Sequence, residues 1–207
     1  MVRRPRDAQA TRLEILDAAE ALFAKNGFGS TSLARIAGAS NVHKSLIMHH
    51  FDSKEGLWQA VKERRFAKFT SEQTTVFNQS EVSLEEILKT TEAYFQLLEN
   101  DPVLVQLLTR AELEQDLGCS QYDEQRLAPF VGRMRAAQEA GLLRKDVPPA
   151  HLLLIIINAI TQWFEARAMF CSWSELASDN MNAAYLESFH KVFMEGAAAR
   201  CEEGGVK

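Results

Sequence analysis

Residues 31–51 read TSLARIAGASNVHKSLIMHHF. Leu33, Ile36 and Ala37 recur at i, i+3 and i+4, the spacing of one helix face. Thr31 or Ser30 is placed to N-cap this helix, because a hydroxyl accepts a hydrogen bond from an orphan amide. Gly38, Ala39 and Ser40 supply small residues for a corner, and Asn41 tolerates a left-handed backbone. A second short helix follows over roughly 43–51, with Val42, Leu46 or Ile47, and Phe51 available to pack inward. Two short helices joined at a tight corner make a helix-turn-helix. Its second helix can enter the major groove, which is wide enough to admit one. The outward face of that helix carries Lys44, Ser45, Met48 and His49. Lysine donates to guanine O6 and N7, serine is permissive, and methionine can touch a thymine methyl.

Working outward, Ile15, Ala19, Leu22 and Phe23 share a face over 11–26, and Gly27 suits a left-handed helix end. Asp52-Ser53 caps a long helix that begins at Lys54 and runs into the 70s. Ser83 caps the next, to about residue 99, with Glu86 completing a capping box. Asp101-Pro102 is a cap followed by proline at the first helical position, opening a helix over 101–117. Further helices are expected over 120–140, 149–171 and 179–199. The chain is therefore all-α with about nine helices. The expected division is a helix-turn-helix domain over 1–58, with its first helix at 11–26 and the motif at 32–51, and a helical bundle over 59–207.

The 207 residues carry 23 Lys+Arg and 28 Asp+Glu, a net charge of -5, which alone argues against a nucleic-acid binder. The distribution reverses that impression. Residues 1–65 hold 11 basic and 7 acidic side chains, a balance of +4; residues 66–207 hold 12 and 21, a balance of -9. A basic end on an acidic body is the asymmetry expected when the front part meets phosphate. Cys119, Cys171 and Cys201 are far apart, with no metal-ligand spacing, so a reducing cytoplasm is the simplest compartment. Incidental thiols outweigh redox sensing as their reading. No apolar run approaches membrane-spanning length, and the basic N-terminus has no apolar stretch behind it. His43, His49 and His50 cluster, but no Cys or acidic partner is close, so no metal and no cofactor is expected. No nucleophile elbow, phosphate loop or catalytic triad is present, so an enzyme is not expected.

Ile15-Leu16-Asp17-Ala18-Ala19 with Leu22-Phe23 and Gly27, then Thr31 through Ala37, Val42, His49-His50-Phe51 and Ser53-Lys54-Glu55-Gly56-Leu57, resembles the N-terminal signature of TetR-family repressors. The similarity covers about residues 11–58. It implies that residues 43–49 form the recognition helix. It also implies that phosphates are gripped near Thr31, around His49 and His50, and by Lys54 at a helix start, a sound anion site on physical grounds too. The candidate DNA contacts are thus Thr31, Ser32, His43, Lys44, Ser45, Met48, His49, His50 and Lys54. Three positions depart from the family pattern. Asn41 stands where glycine is usual, and His43 where serine is frequent. Met48 stands where tyrosine is usual, which removes a phosphate-binding hydroxyl.

Such repressors also bind small molecules in their C-terminal helices. Candidate effector residues are Leu104, Leu107, Leu108, Arg110 and Glu112, with Asn158, Trp163, Phe164 and Arg167; plain core or subunit contact is the competing reading for each. Leu152 to Ile157 is six consecutive large aliphatics, and a helix apolar on all sides must be covered on all sides. A second subunit is the expected cover. The last helix, with Leu186, Phe189, Phe193, Gly196 and Ala197 on one face, supplies the other half of a four-helix dimer contact. The function expected is a homodimeric repressor of double-stranded operator DNA, released by a small-molecule effector, with the helix from Lys54 as lever. The alternatives are an activator or effector-independent regulator of the same fold and, more remotely, a helical enzyme.

Overall fold

A computed structural model of the chain describes residues 8–113, 120–170 and 180–198. Nine helices lie among the described residues: α1 (Ala8–Asn26), α2 (Leu33–Ala39), α3 (Lys44–Phe51), α4 (Lys54–Gln79), α5 (Leu84–Asn100), α6 (Pro102–Leu113), α7 (Ser120–Glu139), α8 (Pro149–Phe170) and α9 (Met181–Ala197). No strand occurs among them; one isolated antiparallel bridge pairs Leu143 with Ala198. The fold is all-α, as expected. Cys119, Cys171 and Cys201 lie outside the described residues, as do Arg3, Arg4 and Arg6.

The chain divides into two compact units. The first comprises residues 1–68 and 102–123, the second 69–101 and 124–207. The sequence reading drew one boundary after residue 58. The structure carries the front of α4 and all of α6 into the first unit, and the reason is packing. Leu107 of α6 is fully buried in one cluster with Ile15, Leu16, Ala19 and Phe23 of α1, Ile36 of α2, Ile47 and Phe51 of α3, and Leu57, Trp58 and Val61 of α4. Phe23 meets Trp58 edge-on at 5.0 Å between ring centroids, an arrangement worth about 0.5–1.5 kcal/mol beyond area burial. Two guanidiniums, Arg64 and Arg65, converge on Glu20 and tie α4 to α1, with Arg64 also holding Asp17 at 2.7 Å.

In the second unit, α5 turns Ile87, Tyr94, Phe95 and Leu98 inward. Phe95 packs on Phe164 of α8 at 4.7 Å, and the Tyr94 hydroxyl pairs with that of Thr161 at 2.8 Å. Ser83 caps α5, its Oγ accepting from Glu86 N at 3.2 Å. The expected reciprocal arm of the capping box is diverted. The Glu86 carboxylate is instead engaged by Arg133 of α7, whose Nε donates to Oε1 at 2.7 Å. Both side chains are nearly buried, so removing either would leave an uncompensated charge at a cost of about 3–5 kcal/mol.

α8 requires a correction. It is long and apolar enough, by length and composition, to cross a membrane, contrary to the expectation that no run reaches that length. Proline at its first position and Asn158, Gln162 and Arg167 along it do not shorten it. It packs on α5 and buries Leu152, Leu153, Ile156, Ile160, Trp163 and Phe164, while Leu154 and Ile155 stay 45% and 52% exposed. On α9 the inward residues are Phe193 and Ala197, two of those expected to meet a partner, and the exposed large apolar side chain is Val192.

Candidate nucleic-acid interface

The site is built from the corner between α2 and α3. Ser32, not Thr31 or Ser30, caps α2, its Oγ accepting from Arg35 N at 3.3 Å. Asn41 takes φ +51°, Val42 N donates to Ala37 O at 3.0 Å and Asn41 N to Gly38 O at 3.4 Å. These paired bonds around a left-handed residue form the Schellman helix ending, so asparagine does here what glycine usually does. Ser40 secures the corner, its buried hydroxyl donating to Ile36 O at 2.7 Å.

The other end of α3 is fixed as firmly. Asp52 has φ +61° and ψ -39°, and Ser53 N donates to Phe51 O at 2.6 Å. That is a γ-turn, a tight reversal whose central residue pays backbone strain of about 1–3 kcal/mol. α4 starts at once, with Ser53 Oγ accepting from Gly56 N at 2.9 Å. A β-carbon at Gly56 would lie 2.2 Å from Phe51 O, so only glycine allows this approach. Nothing in the sequence pattern signals the turn at Asp52; it follows from how Phe51 and Leu57 both reach the same core.

With Ile47 and Phe51 inward, α3 presents the opposite face to solvent. His43, Lys44, Ser45, Met48 and His49 are exposed, and His50 is half-buried with its ring 6.1 Å from Phe51. His43 is the N-cap position of α3 and makes no side-chain cap bond, so its imidazole is not spent on the helix end. The predicted reading residues are therefore all solvent-exposed, as is Ser32. Lys54 is half-buried at the start of α4. Its Nζ donates to Gly29 O at 3.4 Å and sits 4.2 Å above the Phe28 ring. Arg12 of α1 was missed by the sequence reading; its guanidinium lies 5.0 Å over the Phe51 ring, a contact no local spacing reveals.

Thr31 departs from expectation. It is fully buried, and its hydroxyl donates to Gly27 O at 2.7 Å and to Leu22 O at 3.3 Å. It braces the end of α1 from within rather than facing solvent.

The residues named for an effector fall in separate places. Leu104 and Leu107 are fully buried in the first unit, Leu108 is half-buried there, and Arg110 is exposed with Nη2 3.5 Å from Lys25 O. The side chain of Glu112 lies outside the described residues. In the second unit Asn158 is exposed, Phe164 is buried against Phe95, and Trp163 Nε1 donates to Asn182 Oδ1 at 3.0 Å. Of the nine, Arg167 lines a cleft among α5, α8 and the first turn of α9. Among the described residues no group of three or more His, Cys, Asp or Glu is arranged to hold a metal ion.

A buttressed, exposed second helix held on a compact three-helix core defines the helix-turn-helix class. Comparison with known proteins narrows it. The family model for bacterial regulatory proteins of the tetR family matches residues 15–61, and one for the tetracyclin repressor-like C-terminal domain matches residues 87–188. The chain belongs to the TetR family.

The HTH-type transcriptional regulator UidR of Escherichia coli is 42% identical over 67 residues, covering 30% of this chain and 34% of that protein, so the match spans about a third of that relative. The HTH-type transcriptional repressor NicS of Pseudomonas putida is 28% identical over 164 residues, covering 75% of this chain and 76% of that one. Among solved structures, a TetR family transcription regulator from Marinobacter aquaeolei superposes with a TM-score of 0.70 at 19% identity, covering 93% of this chain and 97% of that chain, a likeness of fold.

Proposed function

We propose that this chain is a transcriptional regulator that binds double-stranded operator DNA through α3, acts as a homodimer on a near-palindromic site, and represses until a small-molecule effector releases it. The observation that carries the reading is the exposed face His43–Lys44–Ser45–Met48–His49 on a helix whose other face, Ile47 and Phe51, is locked in the core. A two-fold dimer would set two such helices in successive major grooves, about 34–36 Å apart. Exposed Leu154 and Ile155 on α8 and Val192 on α9 support a subunit contact on these helices. The regulatory names of the relatives favour this reading over an enzyme. Release requires an effector that binds the DNA-free state more tightly than the bound one. α4, which contributes residues to both units, is the element that would transmit the change.

The test uses the DNA upstream of the chain's own gene, where an inverted repeat protected by the protein is the expected operator. Lys44→Ala is expected to cost about 1–3 kcal/mol of operator binding, as loss of a base-reading lysine does. Lys54→Ala is expected to reduce the slope of log affinity against log salt by about 0.9, one phosphate's worth. Unchanged affinity in both variants overturns the proposal.

A further inference from the structure

The second unit holds a cleft of about 520 Å³ that the DNA-binding role leaves unused, within the size range of small-molecule sites. Its charged lining is uneven. Glu92 and Glu99 enter from α5, seven residues apart and so on one helix face, about 10 Å along the axis. Among the described lining residues Arg167 of α8 is the one cation, which leaves these residues with a surplus of one negative charge.

The Glu99 and Arg167 ends are already occupied by Asn182. Its Nδ2 donates to Glu99 Oε1 at 2.7 Å, while its Oδ1 accepts from Trp163 Nε1 at 3.0 Å and from Arg167 Nη1 at 3.4 Å. Arg167 also lies 5.1 Å over the Phe164 ring. Glu92 is held differently. Its hydrogen bond comes from Gln96 Nε2 and is long, at 3.5 Å; Lys89 and His190 also lie within reach of its charge, but Lys89 is paired with Glu85 at 2.7 Å and burial disfavours the charged form of His190. Leu186 and Met181 of α9 provide apolar wall beside these carboxylates.

The geometry points to this cleft as a binding site for an organic amine, with Glu92 as the counter-charge to its ammonium group, Glu99 in support, and the hydrocarbon part against Leu186 and Met181. An anion of the same shape meets the surplus negative charge of these residues, and a neutral analogue brings no counter-charge to Glu92. The binding itself stands apart from the regulator reading; only its consequence for DNA rests on that reading.

The experiment is calorimetric titration of the full chain with three isosteric probes, hexylamine, hexanol and hexanoate, followed by the same titration of Glu92→Gln and of the double variant Glu92→Gln/Glu99→Gln. Both carboxylates are exposed, so neither change threatens the fold. Hexylamine is expected to bind at least about fivefold more tightly than either analogue, with that preference lost in Glu92→Gln and absent in the double variant. Equal binding of hexanol or hexanoate, no heat with hexylamine at millimolar concentration, or an amine preference that survives the double variant overturns the assignment. Operator binding measured with and without hexylamine reads the regulatory consequence separately. An amine that binds without releasing DNA leaves the site standing and removes it from the effector role.

Discussion

Replacing Thr31 with valine separates a buried brace from a DNA contact. The exchange keeps the shape and deletes the hydroxyl. Leu22 O keeps a donor, because Asn26 Nδ2 reaches it at 3.0 Å. Gly27 O loses the 2.7 Å bond that Thr31 supplies, inside a position with no solvent exposure. An unsatisfied buried acceptor costs about 1–3 kcal/mol. The added methyl group recovers about 0.8 kcal/mol of burial, so the net loss is about 0.2–2 kcal/mol. In a chain of this length that corresponds to a fall in Tm of up to about 8 °C. Urea unfolding followed by circular dichroism should show a lower midpoint at unchanged slope. Operator affinity, measured by fluorescence anisotropy at a temperature where the variant is folded, should stay within about twofold of the parent, well under 1 kcal/mol. Full stability together with a tenfold loss of DNA binding would refute the reasoning and return Thr31 to the interface.

Three further outcomes follow. Gly56→Ala puts a β-carbon 2.2 Å from Phe51 O, which is backbone, so the corner between α3 and α4 must shift; a loss of about 3 kcal/mol or more, or a misdirected α3 with weakened operator binding, is expected in unfolding and anisotropy measurements. Burial raises the Glu20 carboxyl pKa, but hydrogen bonds from Arg65 and Arg64, with the positive charge of both, together outweigh it and hold the group below its ordinary value of 4.5. Its contribution is therefore complete above that value and fades as pH falls through the depressed folded value. Glu20→Gln should be less stable by about 1–3 kcal/mol at neutral pH, the gap closing below about pH 4.5; a gap independent of pH contradicts the ion-pair account. The double variant Leu154→Glu/Ile155→Glu alters exposed positions and should leave the monomer's unfolding within about 0.5 kcal/mol while abolishing the proposed dimer in sedimentation; a dimer that survives moves the subunit contact elsewhere.

Much of the architecture was legible because local periodicity and punctuation carry it. Ile36, Ile47 and Phe51 turn inward at the spacing a helix requires, Gly27 and Asn41 take the positive φ that ends a helix, and Pro102 opens α6. The exposed face of α3 is the complement of that same pattern, so Lys44, Ser45, Met48 and His49 could be named from spacing alone, whereas His43 was named through the family resemblance. What was missed depends on partners far away in the chain. Thr31 and Ser32 are adjacent hydroxyls with equal capping chemistry, and only the approach of Leu22 and Gly27 decides which one is buried. Glu86 satisfied a local capping rule until Arg133, 47 residues on, claimed its carboxylate.

The amino-acid order by itself determined that this chain is helical, where most helices start and stop, and which side of α3 faces outward, because those properties follow from contacts within a few residues. Tertiary structure alone decided that Leu107 of α6 joins the core of the first unit, that Asp52 adopts a strained turn beneath Gly56, and that Glu92, Glu99 and Arg167 share one cleft. The physical reason is range: hydrogen bonds along a helix close over four residues, whereas burial and charge pairing are settled by whichever segments the folded chain brings within a few ångströms.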